Sequence, residues 1–213
     1  MKAFFVFLLL IVSMTFSSQA QSVRLGIKAG GNLANGVGKD VQESKYRVGY
    51  HAGAVLNIGL GLLGDSVLFL QPEILYSLKG DQATATDSSI NAQLVYLDVP
   101  VLLKANVGGL FFEAGPQISF LYSNKTITAN GNVATNTKVD FQHPALEYGY
   151  ALGFGYQDPK GFNVGWRYTH SLIPFKKFIT NTTTQVTSEV QIRNSVVQFY
   201  VGYMFGNLFG RKR

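Results

Sequence analysis

Residues 96–104 read YLDVPVLLK, a stretch in which five aliphatic residues surround an acid, a proline and a base. In a β-strand, side chains two residues apart lie on the same face. Read in this way, one face is wholly aliphatic and consists of Val95, Leu97, Val99, Val101 and Leu103. The other face carries both Asp98 and Lys104. The stretch therefore predicts a strand with one apolar face and one face that carries charges.

Seven other stretches alternate with the same period of two, which is typical of strands. In each, one face is bulky and apolar, whereas the other is rich in glycine with single charges. The eight predicted strands cover residues 23–33, 47–59, 68–79, 95–104, 112–122, 146–156, 162–169 and 197–205. We expect each to span about ten residues, as membrane-crossing strands do.

The connections between these strands alternate in length. Short connections cover residues 61–65, 106–109 and 157–161, whereas long ones cover residues 34–45, 80–90, 124–144 and 173–193. We call the two ends of the predicted sheet the short-turn end and the long-loop end. Short turns at one end and long loops at the other are typical of outer-membrane barrels.

The alternative interpretation is a soluble sandwich or lipocalin-like barrel, whose apolar side chains would point inward. In that fold the glycine-rich face would meet water, where glycine weakens a strand. In a narrow eight-stranded barrel, inward glycines instead leave room for larger inward neighbours. The pattern favours an all-β, eight-stranded, antiparallel, up-and-down transmembrane β-barrel with both termini in the periplasm.

The N-terminus predicts export. Lys2 precedes an apolar run over residues 3–12, and small or polar residues lead up to Ala20. This is the pattern of a secretory signal peptide. The alternative, a membrane anchor, would need a longer apolar run of about 20 residues. We predict a signal peptide at 1–20, a barrel domain at 21–206, a short basic tail at 207–213, and localisation in the outer membrane.

Composition excludes several classes of protein. The chain has 18 Lys and Arg, 12 Asp and Glu, and a formal net charge of +6. The cations are scattered, so no basic stripe for nucleic acid is predicted. The absence of cysteine excludes disulfides and thiolate metal sites. Beyond the signal peptide there is no apolar run long enough for a spanning helix.

The inward faces carry ionisable side chains that must be paired or hydrated inside the barrel. We call them the interior charge network: Arg24, Lys28, Arg47, Glu73, Asp98, Lys104, Glu113, Glu147 and Arg167. Three prolines also lie within the predicted strands, at Pro72, Pro100 and Pro116. Because proline lacks the N–H that a ladder needs, we expect a bulge or a local register adjustment at each.

Aromatic residues on the outward faces cluster toward the strand ends. Tyr50, Tyr76, Tyr122, Tyr148 and Tyr168 lie toward the long-loop end, and Tyr156, Phe162, Tyr203 and Phe205 toward the short-turn end. Amphipathic rings are favoured at the two membrane interfaces. These residues predict two aromatic girdles, with outer-membrane lipid as the surrounding partner.

Several segments resemble the outer-membrane β-barrel family known as PorT-like or porin family. They are LQPEILYSLKG (70–80), residues 96–104, EAGPQ (113–117), LGFG (152–155), the pair Arg167-Tyr168, and VGYMF (201–205). The resemblance implies an outer-membrane barrel of a Gram-negative cell. The family's namesake works with a secretion and gliding apparatus, which implies an envelope or secretion-machinery protein as partner.

The chain departs from the usual barrel pattern at its C-terminus. Outer-membrane barrels usually end on an aromatic residue that is used in assembly, whereas here eight residues follow Phe205. Either Phe205 supplies the assembly signal internally, or Leu208 and Phe209 replace it.

No catalytic or metal site is predicted. Some outer-membrane lipid-modifying enzymes use a His and a Ser near the outer rim, which His170 and Ser171 resemble. Adjacent strand residues point to opposite faces, however, so these two cannot easily form a nucleophile and base. His51 is expected inside the barrel with a structural role and His143 in a loop. No metal-ligand spacing is present, and no cofactor is expected.

The outer loops suggest the role. Residues 124–138 and 180–191 are rich in Thr and Asn. Mobile polar loops are the interpretation we favour, and the alternative is a β-ribbon whose backbone can pair with a partner strand. We expect a monomeric, non-enzymatic barrel with a structural or interaction role. The alternatives are a narrow porin-like channel, against which the filled interior argues, and a lipid-modifying enzyme.

Overall fold

The computed structural model describes residues 22–38, 44–61, 67–85, 88–130, 133–137, 146–173, 175–180 and 187–207. The predicted signal peptide, the tail from residue 208 onward and His143 lie outside these ranges. Among the described residues, no helix is long and apolar enough to cross a membrane.

Eight strands form the wall of a barrel: β1 (Val23–Val37), β3 (Arg47–Gly59), β4 (Leu68–Ala85), β5 (Ser88–Val107), β6 (Leu110–Asn130), β8 (Leu146–Gln157), β9 (Phe162–Ser171) and β11 (Thr187–Asn207). Each pairs antiparallel with the next wall strand, and β11 pairs with β1, which closes the barrel. The predicted eight-stranded, antiparallel, up-and-down barrel is confirmed.

Three shorter strands pair with wall strands at the long-loop end. They are β2 (Ser44–Lys45), β7 (Val133–Thr137) and β10 (Phe175–Thr180), which pair with β4, β6 and β11 respectively. Four of the wall strands run far beyond the predicted ten residues, whereas β9 contains ten. β4, β5, β6 and β11 contain 18, 20, 21 and 21 residues. The predicted loop at residues 80–90 was therefore wrong, since β4 continues to Ala85 and β5 begins at Ser88. The favoured interpretation of residues 124–138 and 180–191 as mobile polar loops was also wrong where these residues are described, because β6 pairs there with β7 and β10 with β11.

The faces of the wall are inverted relative to a soluble protein. Large apolar side chains such as Ile27, Val48 and Phe154 are exposed on the outside. Inside, buried polar and charged side chains outnumber buried apolar ones among the described residues. A soluble barrel would bury its apolar face. This inversion excludes the lipocalin-like alternative and fits a barrel that is surrounded by lipid.

The predicted bulges at the prolines were wrong. The register between β4 and β5 is the same on both sides of Pro72, from Leu70 opposite Leu103 to Leu75 opposite Asp98. The β5 and β6 register is likewise unchanged across Pro100 and Pro116. A proline removes one ladder donor but adds no residue, so the neighbouring strands stay in step. Register shifts occur elsewhere, between Arg24 and Gly26 and between Val95 and Tyr96.

A two-residue turn joins β5 to β6 at the short-turn end. Val107 lies opposite Leu110, and Gly108 and Gly109 have φ angles of 61° and 90°. Two-residue hairpins of the type that matches strand twist require positive φ at both central residues, which glycine adopts without strain. This turn fixes the register of the two longest neighbouring strands.

Candidate functional site: the interior charge network

The predicted interior charges lie inside the barrel. The structure buries every member of the network except Arg24, which is half-buried at the short-turn end. The buried members are Lys28, Arg47, Glu73, Asp98, Lys104, Glu113, Glu147 and Arg167. They come from seven different wall strands and meet only because the barrel closes.

Arg167 on β9 is the centre of the network. Its Nη1 and Nη2 atoms each donate to one carboxylate oxygen of Glu73 at 2.8 Å, a bidentate pair. Its Nε atom donates to Oε1 of Glu113, also at 2.8 Å. These three side chains are at most 1 % exposed. One guanidinium therefore holds two carboxylates from β4 and β6 away from water.

Lys28, Gln71 and Tyr200 complete this central cluster. The Lys28 Nζ atom lies 2.8 Å from Oε1 of Glu73 and 3.8 Å from the centre of the Tyr200 ring. Gln71 donates to Glu73 at 2.7 Å and to Glu113 at 3.2 Å. The Tyr200 hydroxyl donates to Glu113 at 2.9 Å. Two cations thus balance two carboxylates, the condition under which buried charges are tolerated.

A second cluster lies toward the long-loop end. Lys79 and Asp98 form a salt bridge of 2.7 Å, and the Tyr96 hydroxyl donates to Glu147. Asn194 donates to the two carboxylate oxygens of Glu147 at 3.0 and 3.1 Å. All of these side chains are buried. They close the interior one level above the central cluster.

Uncharged side chains fill the space between the charges. Nδ2 of Asn32 donates to the Ser77 hydroxyl and to the carbonyl oxygen of Leu78, both at 3.0 Å. Its Oδ1 atom lies 2.7 Å from Nδ1 of His51 and accepts from Gln198 at 3.1 Å. His51 is thus a buried, hydrogen-bonded residue at the place where the sequence predicts it.

At the short-turn end, Lys104 closes the interior. Its Nζ atom donates to Gln157 at 2.7 Å and lies 3.9 Å from the centre of the Phe111 ring. Phe111 is fully buried. Beyond this layer a cavity of about 490 Å³ extends toward the turns and is lined in part by Arg24 and Asp158. The layer formed by Lys104, Gln157 and Phe111 therefore separates this cavity from the rest of the interior.

Sequence reasoning missed part of the network. Lys79 lies on the inward face with Glu73, and the alternation of charges could have included it. Tyr96 and Tyr200 are uncharged, and the strand pattern predicted only that they face inward. Asn194 lies outside the predicted strands, so the pattern predicted nothing about it. Their roles depend on which strands face each other across the interior, and the strand pattern does not contain that information.

The predicted aromatic girdle residues all point outward. Tyr122 is 82 % exposed, Tyr168 is half-buried, and the other members are exposed. Near mid-wall the single tryptophan, Trp166, contacts Phe154 and Phe199, with both ring-centre distances at 5.6 Å. Stacked or edge-on aromatic neighbours stabilise adjacent strands.

The histidine and serine near the long-loop rim lie on opposite faces of β9. His170 is half-buried on the outside, whereas Ser171 is buried inside. They do not form a nucleophile and base pair. Within the described part of the chain, no cluster of His, Asp and Glu is arranged to hold a metal ion. The described charged side chains at the centre of the interior compensate one another.

One comparison with a solved structure supports the fold, and two others are similar with lower scores. Neisserial surface protein A (NspA) is 10 % identical, with a TM-score of 0.51 over 85 % of this chain and 97 % of that chain. Ail, the attachment invasion locus protein of Yersinia pestis, is 12 % identical over 86 % of this chain and 99 % of that one, with a TM-score of 0.45. OprG of Pseudomonas aeruginosa is 12 % identical over 87 % and 95 %, with a TM-score of 0.42.

No curated protein matches the sequence. The likeness to NspA shows a shared barrel fold and no more, because the sequences differ at most positions. A family model decides the family: the one described as outer membrane protein beta-barrel domain matches residues 19–177. With its closed barrel, apolar outer face and charged interior, this chain belongs to the outer membrane protein β-barrel domain family.

Proposed function

We propose that this outer-membrane barrel is a sealed, non-enzymatic membrane protein that presents its long-loop end to a protein partner outside the membrane. The observation that carries the proposal is the extension of the wall strands beyond the length that a membrane needs. About 9–11 tilted residues cross a bilayer. β11 contains 21 residues and β6 another 21.

The ribbon formed by β10 and β11 is the interaction surface in this proposal. Its ladder runs from Phe175 opposite Ile192 to Thr180 opposite Thr187. Among the described residues, β10 pairs with β11 alone. The N–H and C=O groups on its other edge can therefore accept a strand from another chain, as in β-augmentation.

The resemblance to PorT-like proteins suggests the kind of partner. An envelope or secretion-machinery protein with an extended segment would add a strand to β10, which would make this barrel the membrane subunit of a larger assembly. The barrel itself is a monomer in this proposal, is exported by the signal peptide at residues 1–20, and has the long-loop end outside the cell.

Proline substitutions in β10 test the ribbon. Successive residues of a strand point their N–H groups to opposite edges, so Lys176→Pro and Lys177→Pro each remove a donor from a different edge. We expect at least the variant that affects the free edge to lose its crosslinked adducts in intact envelopes, as measured by affinity capture. The double variant with Lys176→Ala and Lys177→Ala keeps both N–H groups and should keep the adducts.

Folding of each variant is checked by its migration on an unheated gel, because folded barrels run differently from heated ones. If folded proline variants give the same adducts as the wild type, the partner does not bind along β10. If the alanine pair alone abolishes the adducts, side-chain charge carries the interaction and the strand-addition proposal is wrong.

Conductance measurements separate this role from the narrow-channel alternative. In planar bilayers we expect no single-channel steps from the purified barrel, because buried side chains such as Arg167 and Tyr96 occupy its cross-section. Steps in the wild type that change size in Arg47→Gln or Arg167→Gln would contradict the proposal and assign a pore. An empty-vesicle control excludes leakage from the lipid.

A further inference from the structure

The outward face of β8, β9 and β11 changes character along the strands. Near the long-loop end, Tyr150, His170 and Ser195 are cross-strand neighbours in one row. Two rows closer to the short-turn end, the corresponding row is Phe154, Trp166 and Phe199. The same three strands thus carry a polar patch above an apolar surface, as a membrane interface requires.

The polar patch is a connected cluster. The Ser195 hydroxyl donates to the Tyr168 hydroxyl at 3.0 Å, and the latter lies 3.4 Å from Nδ1 of His170. The Tyr168 and His170 rings are nearly parallel, with an angle of 12° between them. Arg193 is two residues before Ser195 on the same face and is exposed, with its Nε donating to the Leu172 carbonyl at 3.3 Å. We call Tyr168, His170, Arg193 and Ser195 the rim cluster.

Two apolar grooves lie on the outer wall below the rim cluster. The larger, of about 580 Å³, is lined mainly by Phe154, Tyr156, Val164, Trp166, Phe199 and Val201. The second, of about 480 Å³, includes Ile27, Ala52, Phe162 and Tyr203. Both include Ala29 and Val201, so the grooves adjoin each other. Small residues on β1 make this part of the wall concave between larger neighbours.

The near end of the larger groove lies within one leaflet of the rim cluster. Four residues separate His170 from Trp166, which is about 13 Å along a strand at ~3.3 Å per residue. At a tilt of ~40° this is about 10 Å of depth, within half of a ~30 Å hydrocarbon core. A lipid with its headgroup at the rim cluster would therefore place the upper part of an acyl chain against Phe154, Trp166 and Phe199.

We propose that the rim cluster binds a phosphate group of lipid A in the outer leaflet, with an acyl chain along the near end of the larger groove. The Arg193 guanidinium, the His170 imidazole and the Tyr168 hydroxyl supply donors to a phosphate, whereas the Ser195 hydroxyl donates to Tyr168 and holds it in place. The assignment rests on the proposed orientation, in which the long-loop end faces outward.

Native mass spectrometry of the mature barrel, released from nanodiscs that contain lipid A and phosphatidylcholine, tests this binding. We expect the wild type to retain lipid A and the double variant His170→Ala, Arg193→Ala to retain it about tenfold less, because charge-assisted hydrogen bonds are lost. Lys160→Ala removes an exposed cation at the opposite rim and should change nothing. Trp166→Ala should also weaken retention by opening the groove wall.

Equal retention by the wild type and the folded double variant would overturn the proposal. So would equal retention of dephosphorylated lipid A, since the phosphate would then play no part. Equal retention of phosphatidylglycerol would overturn the assignment to lipid A.

Cysteine labelling tests the orientation separately, because the chain has no cysteine of its own. In intact cells, an impermeant maleimide should label Thr180→Cys and not Pro159→Cys. The opposite result would overturn the proposed orientation and the outer-leaflet assignment with it, while retention in nanodiscs reports the binding site independently.

Discussion

Replacing Arg167 with methionine is expected to lower the free energy of unfolding by about 3–5 kcal/mol, the usual cost of removing one partner from a buried ion cluster. Arg167 makes all of its described charge contacts with Glu73 and Glu113, and both carboxylates are buried. Without the guanidinium, Lys28 is the one cation among the described residues that still forms a salt bridge with Glu73. Urea unfolding in lipid vesicles, followed by the fluorescence of Trp166, measures the change.

The matched control removes the whole cluster. A variant with Lys28→Met, Glu73→Gln, Glu113→Gln and Arg167→Met leaves no buried charge without a partner at the centre, so it should recover most of the lost stability. A loss below about 1 kcal/mol in Arg167→Met would show that water reaches the carboxylates. Equal losses in the single and quadruple variants would show that packing of the arginine, not its charge, stabilises the barrel.

Gly30→Ala is expected to prevent formation of the barrel. A Cβ atom at Gly30 would overlap the carbonyl oxygen of Phe199 and lie 2.7 Å from the Cα of Tyr200. Both are backbone atoms of β11, so they cannot move aside without opening the pairing of β1 and β11. The cost should exceed the 1–3 kcal/mol that is typical of overpacking with side chains. The yield of heat-modifiable protein after refolding into detergent measures it.

Gly31→Ala is the control, one residue further along the same strand. Gly31 faces outward, and a Cβ there would meet nothing within 4 Å. Alanine also reduces the freedom of the unfolded chain, so we expect stability within about 1 kcal/mol of the wild type. A Gly30→Ala barrel that folds in wild-type yield would show that β1 and β11 can separate locally.

Strand positions and side-chain faces could be predicted because lipid and a polar interior impose opposite demands on alternate residues. Asp98 and Lys104 face inward and Leu97 and Leu103 outward, as the period of two indicates. The strand extensions could not be predicted in this way. Residues 81–85 and 88–92 lack the continuous apolar face that lipid requires, so the signal used to recognise strands is absent there.

The strand pattern also could not predict which interior side chains contact each other. Arg167 and Glu73 are 94 residues apart and on non-adjacent strands. Whether they meet depends on the stagger of all the strands between them. Tyr96 and Glu147 meet for the same reason, across the interior between β5 and β8. Local periodicity says which way each side chain points but not which one it faces.

The pairing of the first wall strand with the last has a consequence for biogenesis. Until β11 emerges from the export machinery, β1 and β9 each have an unpaired edge with free N–H and C=O groups. The barrel is then open, so the carboxylates of Glu73 and Glu113 are not shielded from water. A chain that stops before residue 187 would remain a substrate for periplasmic chaperones and proteases. Insertion is therefore expected to be an all-or-none event that is governed by the final twenty or so residues of the barrel, as measured by proteolysis of nascent, truncated chains.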